Sequence, residues 1–225
     1  MIDLLEAKKT LAEKFRYTGY AATNEILNAF LTVPREEFVL EELRNRAYED
    51  TPLPIMAQQT ISAPHMCVLI LSYGRFAPNS GQKVMEVGTG SGYQAALFAE
   101  LLGPKSHVYT VERLDVVAEF AQRNLERTGY GDRVTVVCAD GTKGYPEIEK
   151  SPFDRIVITA AGPKVPTPLL NQLTVGGLLF MPKGQVHAWQ EFVEIEKVSE
   201  EEYREKSLST VAFVPLIGEH GYPEA

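Results

Sequence analysis

Apolar positions along this chain keep two rhythms. Short strand-like runs at Val84 to Val87, Val108 to Val111, Val134 to Cys138, Arg155 to Thr159 and Leu178 to Met181 are separated by longer segments with helical spacing. After the first run, Tyr93, Leu97, Leu101 and Leu102 mark one apolar helix stripe. A second helix is predicted from about Leu114 to Arg127, closed by Gly129, and a third near Pro166 to Leu173. Strand–helix alternation of this kind predicts a mostly parallel sheet covered by helices. The last two apolar runs, Phe192 to Ile195 and Ala212 to Leu216, have little helix between them, so an antiparallel edge is expected.

Residues 1–81 exceed what a minimal nucleotide-binding sheet needs. Helix-like stretches near Leu4 to Phe15 and Asn24 to Phe30 are followed by a region with Pro34, Pro52, Pro54 and Pro64, where loops and short turns are expected. The organisation predicted is one domain over residues 1–225, with 1–81 as a cap on the active site and 82–225 as the core and C-terminal strands.

The chemistry concentrates at the first strand's end, in the run Met85-Glu-Val-Gly-Thr-Gly-Ser-Gly-Tyr93. Gly88, Gly90 and Gly92 permit positive φ and close backbone approach to a ligand. Such a loop is also an ordinary strand-to-helix turn, and a dinucleotide site is a rival reading, although its spacing is G-x-G-x-x-G. Glu86 weighs against a pyrophosphate, because a carboxylate two residues before the first glycine would face the anion across a low-dielectric gap. A net cation without phosphate, such as S-adenosylmethionine, suits it. Glu112, 24 positions after Gly88, ends the second strand where a carboxylate accepts from ribose hydroxyls, and Asp140-Gly141 ends the third, where Asp140 is a candidate acceptor for an adenine amino group. Each acid alone is an ordinary loop or cap residue, but ligands of open α/β sheets bind outside these strand ends.

Composition narrows the classes. A chain of 225 residues can bury one sizeable core, and no low-complexity linker divides it. The formal charge of −8, from 22 basic and 30 acidic residues without a Lys/Arg block, makes nucleic acid a poor main partner. Cys67 and Cys138 form no C-x-x-C pattern, so neither a metal site nor a disulfide framework is expected. The N-terminus mixes charges with leucines unlike a signal peptide, and no run approaches 18 apolar residues, so a cytoplasmic protein with no membrane partner is expected, as a monomer.

Six segments together resemble the protein-L-isoaspartate O-methyltransferase family: VPREEFV (Val33 to Val39), YEDTPLPI (Tyr48 to Ile55), TISAPHM (Thr60 to Met66), EVGTGSGYQAA (Glu86 to Ala96), CADGTKGYP (Cys138 to Pro146) and FVPLIG (Phe213 to Gly218). The glycine loop is common to many methyltransferases, whereas TISAPHM is much more specific. The resemblance implies a Rossmann-like S-adenosylmethionine-dependent methyltransferase fold with an N-terminal cap, acting on isoaspartyl-containing proteins and peptides. It implies Ser62 as the catalytic-site hydroxyl, Gln59, Thr60 and Ile61 as pocket lining, and Glu86, Gly88, Gly90, Gly92, Glu112, Asp140 and Gly141 as the cofactor-binding set. His65 falls in the same motif on the substrate side; three residues from Ser62 it could suggest a hydrolase pair, but local packing or a hydrogen bond is the favoured role. One departure stands out: where many members read I-G-x-G-Q-T, this chain reads Ile55-Met-Ala-Gln-Gln-Thr60.

Other acceptors stay open on the residues alone. A small molecule or a nucleic-acid base is the alternative, although Thr159-Ala-Ala-Gly162 stands where base methyltransferases often carry N/D-P-P-Y. A non-catalytic isoaspartyl-binding module is a third class. A hydrolase is disfavoured, since position 89 is Thr and G-x-S-x-G is absent at Ser91. His107, His187 and His220 are scattered, Trp189 is a candidate core or cap aromatic, and Glu196 to Glu205 reads as a solvated turn or surface segment.

Overall fold

Seven strands alternate their apolar side chains between two faces, and each face is buried against different helices. The computed structural model describes residues 3–186 and 188–224, so His187 lies outside the described residues. The chain begins with α1 (Leu4–Thr18), N-capped by the Asp3 carboxylate, and α2 (Asn24–Thr32), N-capped by the Thr23 hydroxyl. A two-stranded hairpin, β1 (Leu53–Pro54) with β2 (Thr60–Ile61), leads into α3 (Pro64–Tyr73). The core then runs β3 (Lys83–Val87), α4 (Tyr93–Leu102), β4 (His107–Glu112), α5 (Asp115–Arg127), β5 (Val134–Cys138), β6 (Phe153–Ile158), α6 (Thr167–Asn171), β7 (Leu173–Lys183), β8 (Gln190–Lys197) and β9 (Tyr203–Val211).

The sheet order is β5-β4-β3-β6-β7-β8-β9, parallel from β5 to β7 and antiparallel for β7-β8 and β8-β9. Connections lead from β3 to one side through β4 and β5 and then to its other side through β6, so the strand order reverses at β3. Ligand crevices in open α/β sheets form at such a reversal, outside the carboxyl ends of the strands. On β3, Val84 packs into the cluster shared with the N-terminal helices and α4, while the next residue, Met85, packs into the opposite cluster with Tyr109, Tyr145, Phe153 and Leu169. The first cluster contains Phe15, Phe30 and Phe38 together with Tyr93, Phe98 and Phe180, so residues 1–81 share one continuous core with the sheet.

Three segments depart from the expectation. Pro64 opens the ten-residue helix α3 and occupies its first turn, where a missing N–H costs nothing. That helix is apolar nearly all round, so it carries no stripe for a 3.6-residue rhythm to reveal. The last strand is β9, Tyr203–Val211, and only Val198 to Glu202 of the expected Glu196 to Glu205 surface segment is a turn. β9 is an edge strand with mostly exposed polar residues, which hides its alternation. Ala212 to Leu216, expected as a strand, is an extended segment with one bridge, Ala161 to Pro215. Pro215 has no N–H to donate, which is poorly suited to a longer ladder. Trp189 is exposed, at 77%, and packs in neither cluster.

Candidate active site

The carboxyl ends of β3, β4 and β6 surround a crevice that opens to solvent. Its walls are Val87, Gly88 and Gly90 after β3, Val111 to Leu114 at the end of β4, Gly141 after β5, Thr159 and Ala160 after β6, and the returning segment Val214 to Ile217. Gln59 and Thr60 close it from the N-terminal side. An inner chamber of about 380 Å³ shares Thr60, Gly88, Gly90 and Thr159 with the crevice and adds Ile61, Ser62, Cys67, Glu86 and Tyr93. Of the residues expected from the sequence, Gln59, Thr60, Ile61, Ser62, Glu86, Gly88, Gly90, Glu112 and Gly141 line one of these two spaces.

The loop needs glycine for conformation and for space. Gly88 has φ +96°, and a Cβ there would lie 2.5 Å from the Thr159 hydroxyl oxygen. That hydroxyl donates to the carbonyls of Gly88 (2.7 Å) and Val87 (3.1 Å), tying the loop to the end of β6. Gly92, also expected at the cofactor, lines neither space; it sits at the N-terminus of α4 with φ +86° and packs toward Leu125.

The two glutamates differ in their hydrogen-bond partners. Glu86 is fully buried, accepts from the Thr110 hydroxyl at 2.7 Å, and leaves its other oxygen, Oε1, without a partner. Burial pushes its pKa up to about 8, with the Glu112 charge adding to the rise and the Thr110 bond opposing it. Glu112 sits at the crevice wall and accepts from three backbone N–H groups, Gly90 at 3.1 Å, Arg113 at 3.0 Å and Leu114 at 3.2 Å. A carboxylate offers about four acceptor positions, so Glu112 keeps capacity for about one more donor.

Asp140 and His65 point elsewhere. Asp140 accepts from the Thr142 N–H (2.9 Å) and hydroxyl (2.6 Å) and from the Glu219 N–H (2.8 Å). It lines neither space and instead anchors the C-terminal segment whose residues 214–217 form a crevice wall. Burial pushes its pKa up, but the bonds from Glu219 and Thr142 and the nearby Lys143 charge prevail and hold it below the ordinary value. His65 donates its backbone N–H to Asp50 Oδ1 at 2.9 Å, its ring Nδ1 lies 2.8 Å from the same oxygen, and Lys14 completes the cluster. His65 lines neither space.

Sequence reasoning missed Thr159, Arg113, Leu114 and residues 214–217 as wall, and Arg35 behind Ser62. FVPLIG was visible as a motif, yet its place beside the glycine loop depends on the bridge to Ala161. Ser62 is half-buried, and its carbonyl accepts from Arg35 Nη2 at 2.7 Å.

A buried carboxylate oxygen without a partner at a glycine loop fits a cationic ligand, and a glutamate on the adjacent strand end fits a hydroxylated one. A model of the protein-L-isoaspartate(D-aspartate) O-methyltransferase family matches residues 6–221. The chain belongs to that family. Curated protein-L-isoaspartate O-methyltransferases from Hyperthermus butylicus (47% identical, covering 97% of this chain and 92% of the relative) and Thermococcus sibiricus (48%, 99% and 98%) are similar over nearly their whole lengths. Among solved structures, a Plasmodium falciparum protein-L-isoaspartate O-methyltransferase in complex with S-adenosyl-L-homocysteine superposes with a TM-score of 0.82 at 26% identity, covering 93% of this chain and 98% of that one. Another protein-L-isoaspartate O-methyltransferase gives 0.83 at 29% identity, covering 95% and 67%. The seven-stranded, mostly parallel sheet with its antiparallel edge is thus the S-adenosylmethionine-dependent methyltransferase fold.

Proposed function

We propose that the chain methylates the free α-carboxylate of L-isoaspartyl residues in damaged proteins and peptides, initiating their repair, with Glu86 and Glu112 holding S-adenosylmethionine and Ser62 orienting the acceptor. The observation that carries the assignment of roles is the shared inner chamber, lined by Glu86, with its unpartnered oxygen, and by Ser62. When bound, S-adenosylmethionine supplies an electrophilic methyl group on a positively charged sulfur. Glu86 is the buried group whose ionised form a cation stabilises. Gly88 and Gly90 admit close backbone approach, Glu112 has acceptor capacity for a ribose hydroxyl, and Gly141 with Leu114 walls the crevice. Asp140 serves this reading indirectly, by fixing the wall formed by residues 214–217.

No general base is required on the acceptor side. A carboxylate with a pKa near 4 is already ionised at neutral pH, and transfer to a sulfonium methyl neutralises both charges. Exclusion of water by the two bound reactants favours such a charge-annihilating step. A cation clamped on the attacking oxygen would stabilise the ground state more than the charge-depleted transition state, so neutral donors such as the Ser62 hydroxyl suit kcat better. Positioning of two bound reactants supplies about 7–11 kcal/mol in well-oriented cases. Selectivity for isoaspartate follows from reach: its free carboxylate hangs one methylene closer to the main chain than that of aspartate.

The reading takes the protein as a monomer. The reading takes the partners as proteins and peptides without nucleic acid, in the cytoplasm, in keeping with two free cysteines. No described helix is long and apolar enough to cross a membrane. The test is incubation with methyl-labelled donor and matched peptides carrying isoaspartate, aspartate or neither. Alkali-labile label confined to the isoaspartyl peptide is expected. Label on all peptides alike, or none on any, overturns the reading.

A further inference from the structure

Arg35 is fully buried, 0% exposed, on the short 3₁₀ turn Arg35–Glu37 that follows α2. A guanidinium stays charged in proteins, and burying one is costly unless a carboxylate and hydrogen bonds compensate it. Among the described residues no carboxylate lies within ion-pair distance of Arg35. The adjacent Glu36 is engaged with the Tyr48 hydroxyl instead. Arg35 donates from Nε to the Ala47 carbonyl at 2.8 Å and from Nη2 to the Ser62 carbonyl at 2.7 Å, and its carbon centre stands 4.9 Å from the Tyr93 ring centroid. Its Nη1 has no partner. Ser62 and Tyr93 both line the inner chamber, so this cation, without a carboxylate partner, lies one residue layer behind the chamber wall.

The placement sets two opposite groups on the chamber: the Glu86 carboxyl, which lines it directly and ionises against a cationic donor, and the Arg35 guanidinium behind Ser62. We propose that Arg35 is the acceptor-positioning residue, clamping the Ser62 carbonyl from behind and drawing the substrate's free carboxylate into the chamber without touching it. The assignment rests on the methyl-transfer reading of the site. A charge held back from the attacking oxygen attracts the anionic substrate, whereas the methyl ester formed is neutral and feels no such pull. Its effect therefore falls on KM, and the clamp on Ser62 falls on kcat.

The two functions separate in two variants, Arg35→Met and Arg35→Lys, assayed with an isoaspartyl peptide, with donor affinity measured independently by calorimetry. Arg35→Met removes the charge: KM for the peptide is expected to rise at least about tenfold, while affinity for the cationic donor stays level or increases, because a repulsive charge has gone. Arg35→Lys keeps the charge but cannot reproduce the planar fork on two carbonyls, so KM stays within about threefold, donor affinity within about twofold, and kcat falls at least about fivefold. A merely structural role would weaken donor and acceptor binding together, and that result overturns the proposal. So does an unchanged KM in Arg35→Met. If Arg35→Met does not fold, Arg35→Lys decides: a tenfold KM rise with the charge retained, or an unaltered kcat, refutes the assignment. Methylation of the isoaspartyl peptide by the wild-type protein is measured alongside, so failure of the reaction itself is distinguished from failure of the role given to Arg35.

Discussion

Replacing Glu86 by Gln probes the donor side of the chamber, because it removes the charge while keeping the shape. Two opposite charges about 5 Å apart interact by about 3 kcal/mol at an effective dielectric of about 20. Ionising Glu86 opposes this, since burial holds its pKa at about 8. At pH 7 that costs about 1.4 kcal/mol. The difference, about 2 kcal/mol, predicts roughly 30-fold weaker donor binding by Glu86→Gln at pH 7. The pH dependence is the sharper signature. From pH 6 to 7.5, where the donor's own amino group stays mostly protonated, the wild-type to variant affinity ratio should rise about 15-fold, as a group titrating near 8 ionises. Titration calorimetry in buffers of different ionisation heat should show close to one proton released per donor bound at pH 7 by the wild type and none attributable to the variant. In the free protein the sign is reversed. A carboxyl whose folded pKa lies above its unfolded value stabilises the fold below about 4.5, and that stabilisation is lost as pH rises through about 8. A pH-independent affinity ratio with no difference in proton release would refute the assignment of Glu86 as the donor's counter-charge.

Further outcomes follow from individual contacts. Ser62→Ala should lower kcat at least about tenfold with the fold intact, read in steady-state kinetics; unchanged turnover would remove Ser62 from its role. Ala57 and Gln58 hold φ values of +52° and +58°, a region glycine enters without a Cβ penalty, so Gln58→Gly should leave thermal stability level or raise it by up to about 1 kcal/mol, whereas Gln58→Val should lower it by more than about 1 kcal/mol. Asp140→Ala should release the segment around Gly218 to His220, seen as faster amide exchange there and weaker donor binding. Because the Asp140 pKa is depressed, its contribution is present above the unfolded value of 3.8 and is lost as pH falls through the lower folded one; melting of Asp140→Ala should therefore show a weaker acid dependence. Asp50→Ala deprives the His65 N–H and ring of their acceptor at the start of α3, and should cost about 1–2 kcal/mol in chemical denaturation.

The acids at the strand tips were legible because each follows directly from a local rule: an apolar run ends, and the next polar residues occupy the sheet's carboxyl edge. Glu86 and Glu112 reached the site in this way. Asp140 obeys the same rule, yet its oxygens are claimed by Thr142 and Glu219, and that capture depends on a chain reversal 79 residues later. α3 was invisible because uniform burial erases the stripe that marks a helix. β9 was hidden by its exposure, which puts polar residues on nearly every position, while the apolar run Ala212 to Leu216 drew the strand assignment to a start nine residues late. Arg35 could not be read as a clamp, since its two acceptors, Ala47 and Ser62, meet it only through the fold of the cap. The motif that contains it, VPREEFV, marks the family without revealing that the arginine is buried.

In the proposed reaction a cationic methyl donor lies against Glu86 and Glu112 while Ser62 presents an already ionised carboxylate to it. A crystal structure with S-adenosylhomocysteine and an isoaspartyl peptide tests this most directly. The nucleoside is expected in the crevice beside Glu112, the sulfur in the inner chamber facing the peptide's free carboxylate, and that carboxylate within hydrogen-bond distance of the Ser62 hydroxyl. A sulfur lodged away from Glu86, or a peptide carboxylate paired directly with a lysine or arginine in place of Ser62, would contradict it.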